Sequence, residues 1–173
     1  FYKENMFQEM KAEEHSYYIK PMTCPFHIAI YKSNLHSYRE LPIRLYEHGT
    51  VYRQERSGVL HGMMRVRGFT QDDTHIFCRL NQLESEIKNV LLLAKKILND
   101  FGFFEYEVNL STRPKDFVGD PAVWDQAEKI LSTAMESVGI AFDVDAGGGA
   151  FYGPKIDLKI KDSIGRKWQC STI

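Results

Sequence analysis

The sequence has few cysteines: Cys24, Cys78 and Cys170 are widely spaced along 173 residues. An odd number of cysteines at such spacings is not the pattern of a disulfide framework, so we expect a reducing compartment. Net charge is almost absent too, at −1 near neutral pH. No global positive field therefore favours nucleic acid, and any contact of that kind has to be local.

Long apolar runs are also missing. No stretch of about 18 apolar residues occurs, so the sequence predicts no membrane-spanning helix, and the N-terminus lacks the apolar core of a signal peptide. The composition, 43% hydrophobic and 26% charged, is that of a globular domain with a real core. The chain starts at a phenylalanine and stops in the strand-like run WQCSTI, so we expect an internal piece of a longer protein.

The apolar periodicity predicts two long helices, one from about 81 to 102 and one from about 120 to 139. A shorter helix is expected to start at Pro25, because proline suits the first helical turn. The strand predictions are 17–21, 43–55 with a break at Gly49, 65–77, 105–111, and the tail in which Ile156, Leu158 and Ile160 alternate with charged residues. This order predicts an α+β fold with a mainly antiparallel sheet flanked by helices.

The segment 65–77, RVRGFTQDDTHIF, has an unusual alternation. Successive strand side chains point to opposite faces, and one face would carry Arg65, Arg67, Phe69, Gln71, Asp73, His75 and Phe77. A solvated face with salt bridges is the ordinary alternative. It would leave Phe69 in water at a cost of about 1.5–3 kcal/mol. An aromatic ring between guanidinium groups is better suited to stacking on a flat ligand and binding phosphate or carboxylate.

The motifs VYRQERSG and HGMMRVRGFTQDDTHIFC resemble motif 2 of class II aminoacyl-tRNA synthetases. Together with KPMTCPFH and AFYGPKID, they make nearly the whole chain similar to the threonyl-tRNA synthetase family. The resemblance implies the class II catalytic fold, incomplete, as a single domain over 1–173 with motif 2 at about 44–77. Motif 1, motif 3, and the editing and anticodon-binding domains are expected to lie outside the chain.

The resemblance implies a role for each matching residue. Arg53 is implied as the catalytic residue that bridges the amino-acid carboxylate and the ATP α-phosphate, with a fixed fork that offsets their repulsion. Glu55 is implied to meet the adenine amino group, Phe69 the adenine ring, and Arg65 the β- and γ-phosphates. The remaining assignments are Lys155 and Gln169 to ATP, and Met22, Gln71, Asp73 and Tyr152 to the amino acid.

Metal ligation is also implied by the resemblance alone. Cys24 and His75 match zinc ligands, and the family's third protein ligand, a histidine, is expected beyond residue 173. Cys24 stands before a helix-starting proline, where a helix N-terminus favours thiolate. His27 is assigned to structure. We expect one zinc per full-length subunit, held weakly or lost in this piece, and magnesium with ATP.

The implied activity is ligation of threonine to tRNA(Thr) through threonyl-adenylate, in the cytoplasm, by a homodimer with no membrane partner. Zinc and Asp73 would select the threonine hydroxyl against valine, which an apolar pocket rejects only weakly. We expect the isolated piece to have little or no activity. The alternatives are a prolyl- or seryl-specific enzyme of the same subclass, a non-catalytic synthetase-like regulatory module, and a plain metal-binding domain.

Overall fold

A computed structural model describes residues 2–173 of the chain. It divides into two compact units, one running up to Arg79 and the other from Leu80 to Ile173. The single domain expected from the sequence stays a prediction. In the described range, 2–173, no helix combines the length and the apolar character needed to cross a membrane.

The first unit is built from two antiparallel ribbons and one helix. Its elements are the hairpin strands β1 (Met10–Ala12) and β2 (His15–Tyr17), the helix α1 (Cys24–Lys32), and the long strands β3 (Ile43–Tyr52) and β4 (Gly68–Phe77). The strand predicted at 17–21 is wrong except for Tyr17. The helix predicted from Pro25 is confirmed, with Pro25 in its first turn.

Strands β3 and β4 pair antiparallel over their whole length, from Ile43 opposite Phe77 to Tyr52 opposite Gly68. The predicted break at Gly49 is wrong, because β3 continues through it. Gly49 serves a close approach instead: a Cβ there would lie 2.7 Å from Thr23 Cγ2. Glycine allows such an approach without a backbone irregularity. The glycine in this strand therefore reflects close packing against Thr23 and not a break in the strand.

The second unit packs two helices against a four-stranded sheet. Its elements are the helix α2 (Leu80–Asp100), the strand β5 (Tyr106–Ser111), the helix α3 (Pro121–Ser137), and the strands β6 (Asp143–Asp145), β7 (Lys155–Lys161) and β8 (Lys167–Thr172). The sheet order is β6-β5-β7-β8, and all its pairs are antiparallel except β5 with β6. The sequence missed β6, since a three-residue strand is too short to show periodicity.

The core of the second unit lies between the helices and one sheet face. Leu91 of α2, Met135 of α3 and Ile156 of β7 are fully buried there. The predicted start of α3 is confirmed: the Asp120 carboxylate accepts a hydrogen bond of 2.8 Å from the backbone N–H of Ala122. The core side chains of β7 alternate with polar ones that point to the opposite face of the sheet.

Candidate functional site

The odd-numbered residues of β3 and β4 lie on a common face of the ribbon, here called the odd-numbered face. Phe69, Gln71 and Asp73 of β4 are all half-buried on it, while the even-numbered residues between them are exposed. The register sets Phe69 opposite Val51 and Asp73 opposite Glu47. The predicted alternation is therefore confirmed from residue 68 onward. It is wrong before that point, because β4 begins at Gly68.

Arg53 lies just past the end of β3 and is held from two sides. Its backbone N–H donates to the Arg67 carbonyl at 2.8 Å, and its Nε donates to the Pro21 carbonyl at 3.1 Å. The guanidinium carbon lies 5.3 Å from the centroid of the Phe69 ring and 5.9 Å from that of Tyr2. A cation stacked on a ring and anchored at Nε keeps its outer nitrogens directed away from the anchor, as a fixed fork for anions.

Glu55 and Arg65 meet each other across the base of the connection between β3 and β4. Arg65 Nη2 donates to Glu55 Oε2 at 3.1 Å, and Arg65 Nε donates to the same oxygen at 3.3 Å. Arg67, for which the resemblance implies no role, donates from Nε to the Glu55 carbonyl at 3.1 Å. The two arginines and Glu55 thus form a small polar cluster next to Arg53.

The two oxygens of the Asp73 carboxylate have different neighbours: Oδ2 accepts two hydrogen bonds, and Oδ1 lies near His75. Thr23 Oγ1 donates to Oδ2, and Gln71 Nε2 donates to the same oxygen at 2.9 Å. Oδ1 lies 3.8 Å from His75 Nδ1. Thr23 is fully buried and is the N-cap residue of α1. The helix therefore contributes a positioning hydroxyl to a carboxylate on the facing strand, with Met22 just before it.

His75 and the buried His27 are in direct contact, with 2.7 Å between their Nδ1 atoms, so one of the two rings supplies the proton. His27 Nε2 lies 3.5 Å from Glu47 Oε1. Burial lowers the pKa of His75, and the Asp73 charge acts in the opposite direction. A histidine assigned to structure from the sequence thus touches a predicted metal ligand.

Cys24 is the first residue of α1, and its surroundings oppose the thiolate form that a helix N-terminus favours. Burial raises the pKa of the Cys24 thiol above its ordinary value, and the Asp73 carboxylate raises it further. These two effects outweigh the Cys24 backbone hydrogen bond and the Arg53 charge, which lower it. Burial is the larger of the two causes that raise the pKa, and neither burial nor the proximity of Asp73 can be read from the sequence.

The residues that the structure describes supply an incomplete donor set for zinc. Among residues 2–173, no three His, Cys, Asp or Glu side chains are grouped so that they could hold a metal ion. A thiol and one imidazole fall short of the three protein ligands that a catalytic zinc site uses. The residues present do not form a zinc site by themselves, and a third ligand from outside the chain stays a prediction.

The predicted site residues of the second unit lie on or near the polar face of its sheet. Lys155 begins β7, and its Nζ lies 2.5 Å from Asp157 Oδ2. Gln169 of β8 donates to Thr172 Oγ1 at 2.5 Å. Tyr152 precedes β7 and is 67% exposed, with its ring edge-to-face against Phe151 at 5.0 Å.

A family profile matches residues 5–173 of this chain: the tRNA synthetase class II core domain (G, H, P, S and T). The chain belongs to this family. The class II core fold expected from the resemblance is thereby confirmed, and with it the α+β architecture. The family covers enzymes for several amino acids, so membership alone does not select one.

More specific likenesses come from individual proteins. A threonine–tRNA ligase of Acidithiobacillus ferrooxidans is 64% identical over all 173 residues, which span 27% of that relative. The chain therefore corresponds to about a quarter of this relative's length.

Two solved structures resemble this class II core closely. The RNA binding domain of threonyl-tRNA synthetase from Cryptosporidium parvum Iowa II superposes with a TM-score of 0.86 at 44% identity, covering 99% of this chain and 42% of that one. The putative threonyl-tRNA synthetase ThrRS-1 of Aeropyrum pernix superposes with a TM-score of 0.84 at 33% identity, covering 99% and 41%.

Sequence reasoning missed three polar residues in contact with the predicted ones: Thr23, His27 and Asp157. His27 had a signal, the Cys-x-x-His spacing after Cys24. Thr23 resembled an ordinary helix cap, and Asp157 fell on the strand face expected to be exposed. The contacts of Thr23 and His27 join residues about 50 positions apart in sequence, and Asp157 is held in place partly by Ser111, 46 positions away. Periodicity cannot detect such contacts.

Proposed function

We propose that the chain is part of the catalytic core of a threonine–tRNA ligase. The observation that carries the proposal is the 64% identity, over all 173 residues of this chain, to a protein named threonine–tRNA ligase. Because the chain spans 27% of that relative, the activity of the whole protein is an inference. The proposed substrates are threonine, ATP and tRNA(Thr), with the cytoplasm as the compartment and a homodimer as the assembly.

The proposed reaction has two steps. The threonine carboxylate attacks the α-phosphorus of ATP, the bond to the β-phosphate oxygen breaks, and pyrophosphate leaves. A hydroxyl of the terminal ribose of tRNA then attacks the acyl carbon, and AMP leaves. Neither step needs a protein nucleophile, because positioning and neutralisation of charge supply most of the rate enhancement.

Arg53 is the proposed catalytic residue. Two anions, the carboxylate and the α-phosphate, have to approach each other, and a guanidinium that contacts both reduces their repulsion. The anchoring of Arg53 by Pro21 at 3.1 Å and its stacking on Phe69 support this role, because a preorganised cation needs no rearrangement during the reaction. Magnesium bound with ATP would neutralise part of the phosphate charge.

The resemblance is the ground for proposing the remaining nucleotide contacts, which are those of Phe69, Glu55, Arg65, Lys155 and Gln169. A half-buried ring next to a stacked guanidinium supports adenine binding by Phe69. Glu55 and Arg65 pair with each other beside Arg53, so their proposed roles require ATP to replace this ion pair with its own contacts.

Threonine recognition is proposed for Gln71 and Asp73, with Met22 and Tyr152 lining the amino acid. Asp73 Oδ2 already accepts from Thr23 and Gln71. Its Oδ1 is the oxygen proposed to accept from the threonine hydroxyl. Valine has no hydroxyl and would leave that charged oxygen without a donor, which discriminates far more strongly than the difference in shape.

A chimeric ligase tests the proposal. This chain replaces the matching 173 residues of the Acidithiobacillus ferrooxidans ligase, and exchange of pyrophosphate into ATP is measured with threonine, serine or proline. We expect exchange that depends on threonine. Exchange that depends on serine or proline would overturn the amino-acid assignment. No exchange from a folded chimera would support the regulatory module instead.

Arg53→Lys in the chimeric ligase tests the catalytic assignment. Lysine keeps the charge but loses the fork, so we expect kcat/KM to fall roughly 100- to 1,000-fold. The matched control is Arg39→Lys, because Arg39 also lies over a ring, that of Tyr38, at 5.7 Å. A decrease that is equal in both variants would contradict a special role for Arg53.

A further inference from the structure

Asp157 is a charged residue that the alternation of β7 predicts to be exposed, and it is only 2% exposed. It lies on the sheet face opposite the apolar core, with the core residues Ile156 and Leu158 on either side of it in sequence. A buried carboxylate is costly unless other groups satisfy it by hydrogen bonds or an ion pair. Asp157 therefore needs hydrogen-bond or ion-pair partners that offset the cost of burying its charge.

Both carboxylate oxygens of Asp157 have partners. Lys155 Nζ lies 2.5 Å from Oδ2, and Ser111 Oγ donates to the same oxygen at 2.9 Å. Thr172 Oγ1 donates to Oδ1 at 2.9 Å. Thr172 Oγ1 in turn accepts from Gln169 Nε2 at 2.5 Å. A single buried carboxylate thus connects, directly or through one hydroxyl, the side chains of Lys155 and Gln169.

Lys155 and Gln169 belong to two different strands, and the sequence resemblance assigned both to ATP without any link between them. Lys155 retains an accessible side chain, 24% exposed, although its ammonium is paired with a carboxylate that is 3% exposed. A flexible lysine or glutamine loses considerable rotamer freedom when it binds a ligand. An anchor that fixes the side chain beforehand reduces this entropic cost.

We propose that Asp157 is a positioning residue for nucleotide binding, which orients Lys155 by an ion pair and Gln169 through Thr172. The inference rests on the proposed function, because the nucleotide contacts of Lys155 and Gln169 belong to it. Asp157 itself touches no substrate. Its buried charge holds the two polar groups at the surface in one arrangement, and Ser111 fixes the carboxylate from the third strand, β5.

The alternative is that the ion pair of Lys155 and Asp157 only stabilises the sheet. A buried ion pair is weak evidence for stability, since replacement by apolar residues is often neutral or stabilising. The two accounts differ in one measurable respect. A positioning residue acts on ATP binding only through Lys155 and Gln169, whereas a stabilising pair affects unfolding and leaves the kinetics of the folded protein unchanged.

The test uses the chimeric ligase with Asp157→Asn, Lys155→Met and both together. We expect Asp157→Asn to raise the KM for ATP roughly 10- to 100-fold, as loss of hydrogen bonds from a charged group would, with the KM for threonine unchanged. In the Lys155→Met background, most of that effect should disappear, because residues in one network are not additive. Ser111→Ala is the comparison: it removes one partner of Asp157 and keeps the ion pair, so we expect a smaller rise in the KM for ATP than with Asp157→Asn.

A second pair of variants covers the case in which Asp157→Asn does not fold. Thr172→Val keeps the side-chain shape but cuts the link between Asp157 and Gln169, while the ion pair of Lys155 is retained. We expect a higher KM for ATP that is not raised further by Gln169→Ala. Additive effects in either pair, or an unchanged KM for ATP in a folded variant, would overturn the inference. An inactive parent chimera would instead count against the proposed function.

Discussion

The guanidinium of Arg65 is paired with the carboxylate of Glu55, with 3.1 Å between Nη2 and Oε2. The two groups are proposed to meet different parts of ATP, the β- and γ-phosphates and the adenine amino group. In the structure, the two groups form an ion pair with each other instead. An ATP molecule that reaches both would exchange this pair for its own contacts, so the ion pair and the ligand compete.

Arg65→Ala should therefore weaken ATP binding with little effect on folding. The pair is largely exposed on the Arg65 side, 55%, and exposed pairs contribute about 0–1 kcal/mol. We expect the free energy of unfolding to change by less than about 0.5 kcal/mol, while the KM for ATP in the chimeric ligase rises roughly tenfold. The control is Lys96→Ala, which removes another exposed ion pair, with Asp100. An unchanged KM would refute the phosphate contact.

Thr23→Val should impair recognition of threonine while leaving ATP binding intact. Valine has nearly the same shape as threonine but offers no donor to Asp73 Oδ2, so the carboxylate is less firmly oriented. We expect the KM for threonine to rise roughly tenfold in pyrophosphate exchange, with a lower preference for threonine over valine.

Thr50→Val is the matched control for Thr23→Val. The Thr50 hydroxyl lies 2.9 Å from that of Thr70, on the exposed even-numbered side of the same two strands. The Thr50→Val substitution should leave the KM for threonine within about twofold of the parent, since exposed hydroxyls can bond to water instead. If both substitutions raised the KM for threonine equally, the effect would come from a general disturbance of the paired strands β3 and β4 and not from the lost hydrogen bond to Asp73.

Gly49→Ala should destabilise the first unit. The added Cβ would lie 2.7 Å from Thr23 Cγ2, at a residue that is fully buried. Overpacking of this kind costs about 1–3 kcal/mol. Both tryptophans, Trp124 and Trp168, belong to the second unit, so their fluorescence would not report the change. Amide hydrogen exchange of the β3 and β4 residues is the appropriate measurement.

Gly58→Ala provides the comparison for Gly49→Ala. A Cβ at residue 58 would meet nothing within 4 Å, so we expect exchange rates in β3 and β4 like those of the parent. Unchanged protection in Gly49→Ala would show that α1 can move away from the strand at little cost.

Asp162 should make the hairpin of β7 and β8 sensitive to acid. Its carboxylate accepts from Trp168 Nε1 at 3.0 Å and from Arg166 Nε at 2.7 Å. These bonds, that of Trp168 first, hold the pKa of Asp162 well below its ordinary value. A carboxylate with a lowered folded-state pKa stabilises the fold above the unfolded pKa, about 3.9, and this contribution is lost as the pH falls further.

Thermal unfolding monitored by Trp168 fluorescence, in a Trp124→Phe background, tests this dependence. We expect the parent to lose stability below about pH 4 more steeply than Asp162→Asn, which has no such carboxylate to protonate. Asp100→Asn, at an exposed pair with Lys96, should follow the parent. Parallel curves for the parent and Asp162→Asn would contradict the prediction.

Periodicity accounts for much of what could be predicted. The stripes of α2 and α3 and the alternation of β7 follow from burying one face of each element, and they are local in sequence. The odd-numbered face was predictable from Phe69 onward for the same reason. Arg65 was predicted on that strand and lies before it, because its backbone pairs with His61 inside the connection between β3 and β4, and its side chain pairs with Glu55.

The sequence by itself determined the family, the α+β class and the alternation that groups Phe69, Gln71, Asp73 and His75, because these depend on motif identity and short-range spacing. Only the tertiary structure decided that Thr23 fixes Asp73, that His27 touches His75, and that Asp157 is buried between Lys155 and Thr172. The physical reason is that hydrogen bonds and desolvation depend on distance in space, and most of these contacts join residues that are far apart along the chain.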